Sequence, residues 1–505
     1  MSVKRSGRKA RLRTQTTITA PAIVRRIMPP YAPFPSHDID ALERQADWLL
    51  SEIGIEFRDD PIALELLSDA GARVEGVRVF FPDGLARQLC ATAPSSFDLL
   101  ARNPARTIRL GGDHIVFMPG YGSPFVTDIE QGRRYATLVD FHNFVKMTYA
   151  TPYLHHSGGT VVEPTDVPVS KRHLDMVHAH LTLSDKPFMG AVTHPDRAKD
   201  TLDMVRLVFG DRMNATPVVQ ANINVNSPLV YDGAMTGALR VYASAGQCVC
   251  ISPAIFGGAM GPVTSAAVAA QTHAEVLAGV ALCQIIQPGC PIVYGSFHNT
   301  MSLKSGALTF GTPEANLVTF ALGQLARRMN VPFRSGGGEI TSANSADGQA
   351  MSESVSALWS TVLSGANQVW HAAGWLEGGL TMGYEKFVMD LDICGALLKM
   401  IAGMEVSEDT LSKPSYKQVE PGENFLSTDH TMAHFSTANF EPEIAEAGPF
   451  ETWQENGSPT AEQRAFPRWK SLLNSYEPPA IDEAAKKKLD DFMADRKSSL
   501  PDEWY

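Results

Sequence analysis

Short apolar runs alternate with longer amphipathic segments over most of this chain. Strands separated by helices pair in parallel through right-handed crossovers. Repeating units of this kind predict an α/β fold, a TIM (β/α)8 barrel. The alternative is an open doubly wound sheet, which is disfavoured because no GxGxxG motif follows the first strand. Eight runs at intervals of roughly 30 to 45 residues are candidate strands, beginning at His114, His155, Lys186, Thr216, Gln247, Cys290, Val331 and Asn367.

The segments between the strands carry helix signals. Thr312 is a predicted N-cap, with Pro313 at the first helical position and Glu314 in the first turn. Another helix is predicted after Ser170, and the segments that begin at 194 and 346 both end in glycine, which is typical of a helix C-terminus. These patterns support the alternation of strand and helix.

The regions outside the barrel have a different composition. We predict a disordered basic tail over residues 1–35, an α+β extension over 36–110, the barrel over 111–400, and a helical and irregular extension over 401–505. The tail contains six basic residues and no acid within its first 17 positions. Its alternative role is a docking arm for a partner.

Composition restricts the class of protein. The chain has 505 residues, 44% of them hydrophobic, so it can bury a large core. Its net charge of -12 argues against nucleic-acid binding. Six cysteines do not indicate a disulfide framework. Neither a signal peptide nor an apolar run of about 18 residues is evident, so we predict a cytoplasmic protein with no membrane contact.

The predicted strand ends contain aromatic and amide side chains but few carboxylates. In a TIM barrel the chemistry lies at these carboxyl ends. Glycoside hydrolysis requires two facing carboxylates, and only Glu339 and Glu377 are available. Lys304, the candidate for a Schiff base, lies in a predicted loop. The glycines after Arg334 match a phosphate site poorly, since a long polar segment separates them from the next helix.

A rim of aromatic rings with few acids is suited to a quaternary ammonium group. Each ring stabilises such a cation by about 0.5 to 2 kcal/mol. A carboxylate on the same molecule requires a bidentate arginine and a second donor, which Arg334 and His371 are placed to supply. The glycines at 336–338 would allow close approach of the backbone and of a partner. The predicted substrate-binding residues are Tyr121, Phe256, Phe297, Arg334, His371 and Trp375.

Structural interpretations of the same residues stay open. The aromatic side chains are equally suited to packing, and Arg334 to an ion pair with Glu339. Trp370 and His371 alternate along a strand, so only one of them is expected to face the barrel axis. His155 and His156 are placed to cap a strand. Cys248 and Cys250 resemble small core residues rather than metal ligands, and no metal site is expected.

Several long segments resemble one known family, the trimethylamine methyltransferase (MttB-like) superfamily, and the similarity begins near residue 38. The matching segments are LSEIGIEFRDDPIALELLSDAGARVEG and ATAPSSFDLLARNPARTIRLGGD before the barrel, GTPEANLVTFALGQLARRMNVPFRSGGG and DGQAMSESVSALWSTVLSGANQVWHAAGWLEGGLTMGYEKFVMD within it, and NFLSTDHTMAHF near the end.

The resemblance implies a TIM barrel that moves a methyl group from a methylated amine to the cobalt of a corrinoid on a separate small protein. It also implies a homo-oligomer. Trimethylamine-specific members carry pyrrolysine, whereas this chain has only standard residues. It therefore resembles the branch that acts on glycine betaine, with carnitine and proline betaine as related substrates.

A quaternary nitrogen is already an activated leaving group, so no catalytic acid or base is expected, only positioning and desolvation. The DxHxxG pattern of a corrinoid carrier is absent, because the stretch from Asp140 to His142 lacks the glycine. We therefore expect no tightly bound cofactor and a corrinoid protein as partner. The alternatives are a betaine-binding protein without transfer activity, a transferase for another methylated amine, including trimethylamine, and a metal-dependent lyase or hydrolase.

Overall fold

The computed structural model describes residues 23–504. Residues 1–22, which include most of the predicted basic tail, lie outside the described residues. The region before the first parallel strand contains three α-helices and six short strands. They are β1 (Val24–Arg25), α1 (Ser36–Trp48), β2 (Ile55–Phe57), α2 (Pro61–Asp69), β3 (Arg73–Glu75), β4 (Arg78–Phe80), α3 (Leu85–Cys90), β5 (Ser96–Leu99) and β6 (Ile108–Gly111).

The central region alternates strands and helices, as the sequence predicts. Its elements are β7 (His114–Phe117), β8 (Phe125–Thr127), β9 (Arg134–Tyr135), α4 (Leu138–Ala150), α5 (Arg172–Leu183), β10 (Phe188–Met189), α6 (Pro195–Phe209), α7 (Arg212–Ala215), β11 (Val219–Val225), β12 (Val230–Tyr231), α8 (Gly233–Ser244), β13 (Cys248–Gly257), α9 (Ser265–Ile286), β14 (Ile292–Met301), β15 (Leu308–Thr309), α10 (Pro313–Arg328), β16 (Phe333–Ser335), α11 (Gly348–Leu363), β17 (Gln368–Val369), β18 (Trp375–Leu376), β19 (Thr381–Gly383) and α12 (Tyr384–Ala402).

The chain ends in five helices. They are α13 (Lys413–Tyr416), α14 (Asp429–His434), α15 (Phe450–Glu455), α16 (Ala461–Asn474) and α17 (Glu483–Ser499). The indole Nε1 of Trp469 on α16 donates to the Glu385 carboxylate on α12 at 2.9 Å. Arg496 on α17 forms an ion pair with Asp200 on α6 at 2.8 Å. These contacts attach the last two helices to the central region.

The main sheet contains seven of the eight predicted strands. The hydrogen-bonded order is β1-β7-β17-β16-β14-β13-β11-β10, and all pairs from β7 through to β10 are parallel. Apart from the pairing of β7 with β17, neighbouring strands follow one another in chain order, as consecutive strands usually do. The result is an α/β fold with a curled parallel sheet and helices packed against it.

The predicted strand at His155 is wrong, because that segment is not a regular strand. The Phe117 N–H donates to the imidazole Nδ1 of His155 at 3.1 Å, so a side chain replaces the backbone acceptor of a ladder. The backbone of the segment still contacts both neighbours. The His155 N–H donates to the Phe117 carbonyl at 2.9 Å, and the Met189 N–H donates to the Gly158 carbonyl at 2.8 Å. Residues 155–159 thus lie between β7 and β10.

Strand alternation separates the two faces of the sheet. Cys248 and Cys250 of β13 belong to an interior apolar cluster with Met118, Val293 and Trp370, whereas the intervening residues pack toward the helices. All six cysteines are unpaired and buried. Burial raises the pKa of Cys250 to about 12, so its thiol stays protonated. The CxC pair is a part of the core, as the structural interpretation predicts.

Helix α9 is the one helix, within residues 23–504, that is long and apolar enough to span a membrane. Its mean hydropathy is 1.3, and 89% of that stretch is buried inside the fold, as in the core helix of a globular protein. The sequence contains no unbroken apolar run of that length, but the average hydropathy of α9 reaches the threshold for a spanning helix. The polar residues His273 and Glu275 interrupt the apolar sequence of α9, and both are buried.

Residues 23–35 differ from the prediction of a disordered tail. β1 pairs antiparallel with β7, where Val24 lies opposite Ile115. The Arg26 guanidinium is buried and donates to the carbonyls of Val362 and Gly365 at 3.2 and 3.0 Å. Carbonyls that follow the last turn of a helix lack partners within the helix, so Arg26 satisfies groups at the end of α11.

We expect Arg26→Ala to lower the free energy of unfolding by about 1 to 3 kcal/mol, because it removes two hydrogen bonds from a buried cation to carbonyls at the end of α11. Chemical denaturation of the full chain measures this. The matched control is Arg25→Ala, since Arg25 is the neighbouring residue and its side chain is 68% exposed. Equal effects of the two substitutions would show that Arg26 does not hold the segment in place.

Candidate functional site

Five aromatic side chains meet at the carboxyl-terminal halves of β13 and β14 and beyond the end of β17. Phe297 lies at the centre, with ring centroids 5.9 Å from Phe256, 5.9 Å from Trp375 and 5.5 Å from His371. His371 and Trp375 are 4.2 Å apart, and Phe310 is 6.0 Å from Trp375. We call this set, Phe256, Phe297, Phe310, His371 and Trp375, the aromatic cluster. Four of its members are predicted site residues.

Arg334 is the buried cation next to the aromatic cluster. Its Nη1 donates to the Ser252 hydroxyl at 2.6 Å and to the Ser296 carbonyl at 2.8 Å. Its Nε is buried without a hydrogen-bond partner. No carboxylate within the described residues forms an ion pair with it, and burial lowers its pKa to about 10. The guanidinium therefore remains charged at neutral pH, with donor capacity to spare.

A stack of side chains fixes the position of Arg334. Its guanidinium carbon lies 3.9 Å from the centroid of the Trp370 ring. The Trp370 indole donates to Gln368 at 3.3 Å, and Gln368 exchanges two amide hydrogen bonds with Gln220 at 2.8 and 3.0 Å. The two amide side chains are buried in the sheet interior, and each donates to and accepts from the other. This pair therefore holds Trp370 and the arginine in place.

Tyr121, the sixth predicted residue, lies at the Trp370 side of the site. The two ring centroids are 5.8 Å apart. Burial raises the pKa of the Tyr121 phenol, which is therefore neutral. Asn222 on β11 and Asn299 on β14 are also buried. Both carry side-chain amide atoms without hydrogen-bond partners. Such unsatisfied groups are expected where a ligand binds.

His371 has an unusual backbone conformation. Its φ is 58°, which non-glycine residues rarely adopt. The Glu339 N–H donates to its carbonyl at 2.8 Å, which holds this turn. Burial, and to a lesser extent the charge of Arg334, lowers the pKa of the imidazole well below 6.5, so it is neutral. Its Nδ1 is buried without a partner.

The backbone turn at His371 also corrects the expected alternation of side chains. β17 ends at Val369, so the period-two rule does not extend to the next two residues. Trp370 and His371 have ring centroids 6.4 Å apart, and both contact members of the site. The prediction that only one of them faces the axis is therefore wrong.

The expected ion pair between Arg334 and Glu339 is absent within the described residues. Glu339 is buried near Lys386 and Asp390, and Lys386 contacts Asp390 directly. Burial and the negative charge of Asp390 raise the pKa of Glu339 well above 4.5. The second strand-end acid, Glu377, accepts two hydrogen bonds from the Arg133 Nε at 2.9 and 3.1 Å. Neither acid balances the charge of Arg334.

The glycine run at 336–338 is closely packed by the chain itself. A Cβ on Gly336 would overlap the Phe297 ring, and one on Gly338 would overlap the Trp370 carbonyl. Gly379, with φ of 97°, lies against the Trp375 indole in the same way. The glycines thus allow the backbone to approach the site, as predicted. The space beside them is filled, however, so they do not leave room for a partner, and that expectation is corrected.

Phe310 and Trp370 are not among the predicted site residues. Phe310 lies in the loop between β15 and α10, not at the end of a predicted strand. Its signal was its position in a loop that follows a strand, since all such loops lie on the same side of the sheet. Conversely, His298 faces α10 and bonds the Ala315 carbonyl at 3.0 Å. His194 is exposed at the N-terminus of α6, where it accepts from the Asp196 N–H.

The arrangement has two chemical features. A buried guanidinium without a counter-ion attracts an anion, because an unpaired buried charge is costly. A cluster of aromatic rings attracts a cation that does not donate hydrogen bonds. The described part of the site has no pair of free carboxylates for acid–base catalysis. A small zwitterion satisfies both features at once.

Comparison with known proteins identifies the class of enzyme. The family model described as "Trimethylamine methyltransferase (MTTB)" matches residues 3–501. The chain therefore belongs to this methyltransferase family, as its sequence predicts. It is 39% identical over 480 residues to a "Glycine betaine methyltransferase" of Desulfitobacterium hafniense (strain Y51), which covers 95% of this chain and 100% of that protein.

One further relative and one solved structure are less similar in sequence. A "Proline betaine:corrinoid methyltransferase" of Eubacterium limosum is 27% identical, and the match covers 82% of this chain and 88% of that one. Among solved structures, the Methanosarcina barkeri monomethylamine methyltransferase (MtmB) has a TM-score of 0.47 and 12% identity, with 90% of this chain and 92% of that chain covered.

The buried acid beside the site predicts a specific pH dependence. A carboxyl group whose pKa is raised on folding contributes stability below its unfolded pKa, near 4.5, and this stability is lost as the pH rises toward the folded pKa. We therefore expect the free energy of unfolding to decline from pH 5 upward, by at most about 1.4 kcal/mol per pH unit from this group. Glu339→Gln should flatten that decline.

Urea denaturation at pH 5, 6, 7 and 8 measures this effect. Glu314→Gln is the control, since Glu314 is exposed in the first turn of α10. Parallel pH curves for the wild type and Glu339→Gln would show that Glu339 is ionised at neutral pH.

Proposed function

We propose that this enzyme transfers a methyl group from glycine betaine, or a similar short betaine, to the cobalt of a corrinoid carried by a separate protein. The buried, unpaired guanidinium of Arg334 beside the aromatic cluster is the observation that carries this proposal. The relative at 39% identity, named a glycine betaine methyltransferase, supports the same substrate class.

The substrate's two charges have separate partners in this proposal. The carboxylate accepts hydrogen bonds from the free donors of Arg334, with the neutral His371 imidazole as a further donor. A charge-assisted contact of this kind is stronger than one between neutral groups. The trimethylammonium group lies against the rings of Phe297 and Trp375. Trp370 is shared by both parts, because it stacks on Arg334 and contacts His371.

The reaction breaks one bond from carbon to nitrogen and forms one from carbon to the acceptor. The bonding pair stays on nitrogen, which leaves as a neutral tertiary amine, so no proton is required. The corrinoid of the partner supplies the nucleophilic cobalt. The residues of this chain hold the ammonium group in line and exclude water. The neutral states of His371 and Tyr121 agree with a site that performs no proton transfer.

The proposal includes the architecture of the family's barrel. With residues 155–159 counted between β7 and β10, the sheet has eight positions around one axis. The backbone bonds of His155 and Met189 support this closure. The site then lies at the carboxyl ends of the strands, where a TIM barrel presents its active site. The corrinoid protein would approach this end.

We further propose a cytoplasmic homo-oligomer with reduced thiols. Nine of the 25 exposed large apolar residues that the described chain contains lie between 404 and 450. Exposed apolar residues that adjoin one another on a surface mark protein–protein contacts, and we propose that these residues do so. The residues are Met404, Val406, Leu411, Tyr416, Phe425, Leu426, Met432, Phe435 and Phe450.

Arg334→Ala should weaken binding of glycine betaine by about 2 kcal/mol or more, because it removes a buried charge-assisted contact. Isothermal titration calorimetry measures the affinity, and methylation of a corrinoid partner measures the activity. Arg44→Ala is the control, since Arg44 is exposed on α1. Undiminished binding in Arg334→Ala would remove the proposed carboxylate contact.

Binding without methylation of any corrinoid partner would favour the alternative of a betaine-binding protein. Binding of a longer betaine, such as carnitine or proline betaine, in place of glycine betaine would retain the reaction and change the substrate. Transfer from trimethylamine alone would contradict the quaternary substrate class.

Trp375→Leu should reduce the preference for a quaternary nitrogen. The probe is 3,3-dimethylbutanoate, in which carbon replaces the nitrogen of glycine betaine. We expect the binding free energy that favours betaine over this analogue to fall by about 0.5 to 2 kcal/mol, which is one ring's contribution. Competition calorimetry measures this difference, with Trp48→Leu on the exposed face of α1 as the control. An unchanged difference would mean that Trp375 only packs.

A further inference from the structure

The segment between α12 and α15 is folded without an apolar core. We call residues 404–443 the arm. None of the buried apolar clusters formed by the described residues includes a member of the arm. Its apolar side chains are instead largely exposed, as with Met404 and Phe435. A segment that lacks a core of its own depends on other contacts for its stability, and a bound metal ion is one of them.

The arm has one cluster of metal-ligating side chains. His430 and His434 are four residues apart, so they lie on the same face of α14. Asp409 comes from the turn that precedes α13, and its Oδ2 lies 3.0 Å from the His434 Nε2. The two imidazole centroids are 4.4 Å apart. One ligand atom from each of the three residues lies within 4.8 Å of the others.

A simple ion pair between Asp409 and His434 does not account for His430. The Nε2 of His430 is shielded from solvent and has no hydrogen-bond partner. Most neighbouring residues in the arm are exposed, so a shielded, unpaired nitrogen beside another imidazole is unusual. A metal ion bound by both imidazoles and the carboxylate would satisfy this nitrogen.

We propose that Asp409, His430 and His434 bind a divalent transition metal ion, with Zn²⁺ as the best match, and that this ion fastens the turn around Asp409 to α14. Two imidazole nitrogens and one carboxylate oxygen are a donor set that zinc accepts, with water as a fourth ligand. Zinc ligands lie about 2.0 to 2.2 Å from the ion. The proposal requires the three ligand atoms, which lie within 4.8 Å of one another, to adjust to such distances around the ion.

The ion's proposed role is structural. A metal that binds the folded arm and not the unfolded one stabilises it by mass action. The arm contains the segment NFLSTDHTMAHF, whose two histidines are the proposed ligands. This inference is independent of the substrate proposed above, because the ligands belong to the arm and not to the aromatic cluster.

The experiment is titration of the metal-free full-length chain with Zn²⁺ by calorimetry, after treatment with a chelator. We expect one Zn²⁺ per chain, and an affinity at least tenfold weaker in both His430→Ala and His434→Ala. His37→Ala is the matched control, since His37 forms a similar pair with Asp38, at 3.1 Å, that lacks a second histidine. No zinc binding, or equal binding in all four proteins, overturns the proposal.

Limited proteolysis provides a second readout that does not depend on affinity. Zn²⁺ should slow cleavage within residues 404–443 of the wild type, and His430→Ala should abolish that protection. Protection that depends on protein concentration and not on Zn²⁺ would show that a second copy of the chain covers the arm, and would overturn a metal as its fastening. Comparison of the wild type at two concentrations, with and without chelator, separates these outcomes.

Discussion

The buried charge of Arg334 is the constraint that organises the site. A guanidinium in the interior is costly unless its donors are satisfied and an opposite charge is available. Ser252 and Ser296 satisfy one nitrogen, and the Trp370 ring covers one face. None of the described side chains supplies the opposite charge. The buried charge of Arg334 is therefore left without a counter-ion among the described residues, which would favour the binding of an anionic group.

This lack of a counter-ion depends on how the nearest acids are placed. Glu339 follows the arginine by only five residues, yet its carboxyl group is buried near Lys386 and Asp390, where burial favours its neutral form. Glu377 is occupied by Arg133. The close packing of Gly336 and Gly338 makes this possible, because it carries the backbone past Phe297 and Trp370 before the acid is reached.

The sequence predicts the sheet well because hydrophobic periodicity and helix caps are local signals. Seven strands appear where expected, and Thr312 caps α10 as predicted. The eighth strand could not be recognised as irregular, since the exchange of a backbone acceptor for the His155 imidazole is a tertiary effect. The sequence did not predict that residues 23–35 are folded, for a similar reason. The hydrogen bonds of Arg26 reach residues more than 330 positions away.

The six side chains that were predicted from residue chemistry and strand ends lie close together in the structure. The contacts that they make with one another depend on backbone conformation. The positive φ of His371 places it beside Trp375 and in reach of Phe297, and no strand rule predicts this. Phe310 completes the aromatic cluster from a loop. The position of a loop side chain is set by tertiary packing, and the periodicity of the sequence does not predict it.

The chemistry explains why so sparse a set of polar groups is sufficient. An enzyme that must protonate a leaving group requires an acid with a tuned pKa. A quaternary nitrogen carries its activation as a permanent charge, so a tuned acid would add nothing, and a free carboxylate beside the nitrogen would stabilise the ground state by attracting it. Aromatic faces bind the cation more weakly than an ion pair would, and they lose less when the charge disappears in the transition state. The absence of a free acid near the described rings is therefore consistent with a site that binds betaine without opposing its reaction.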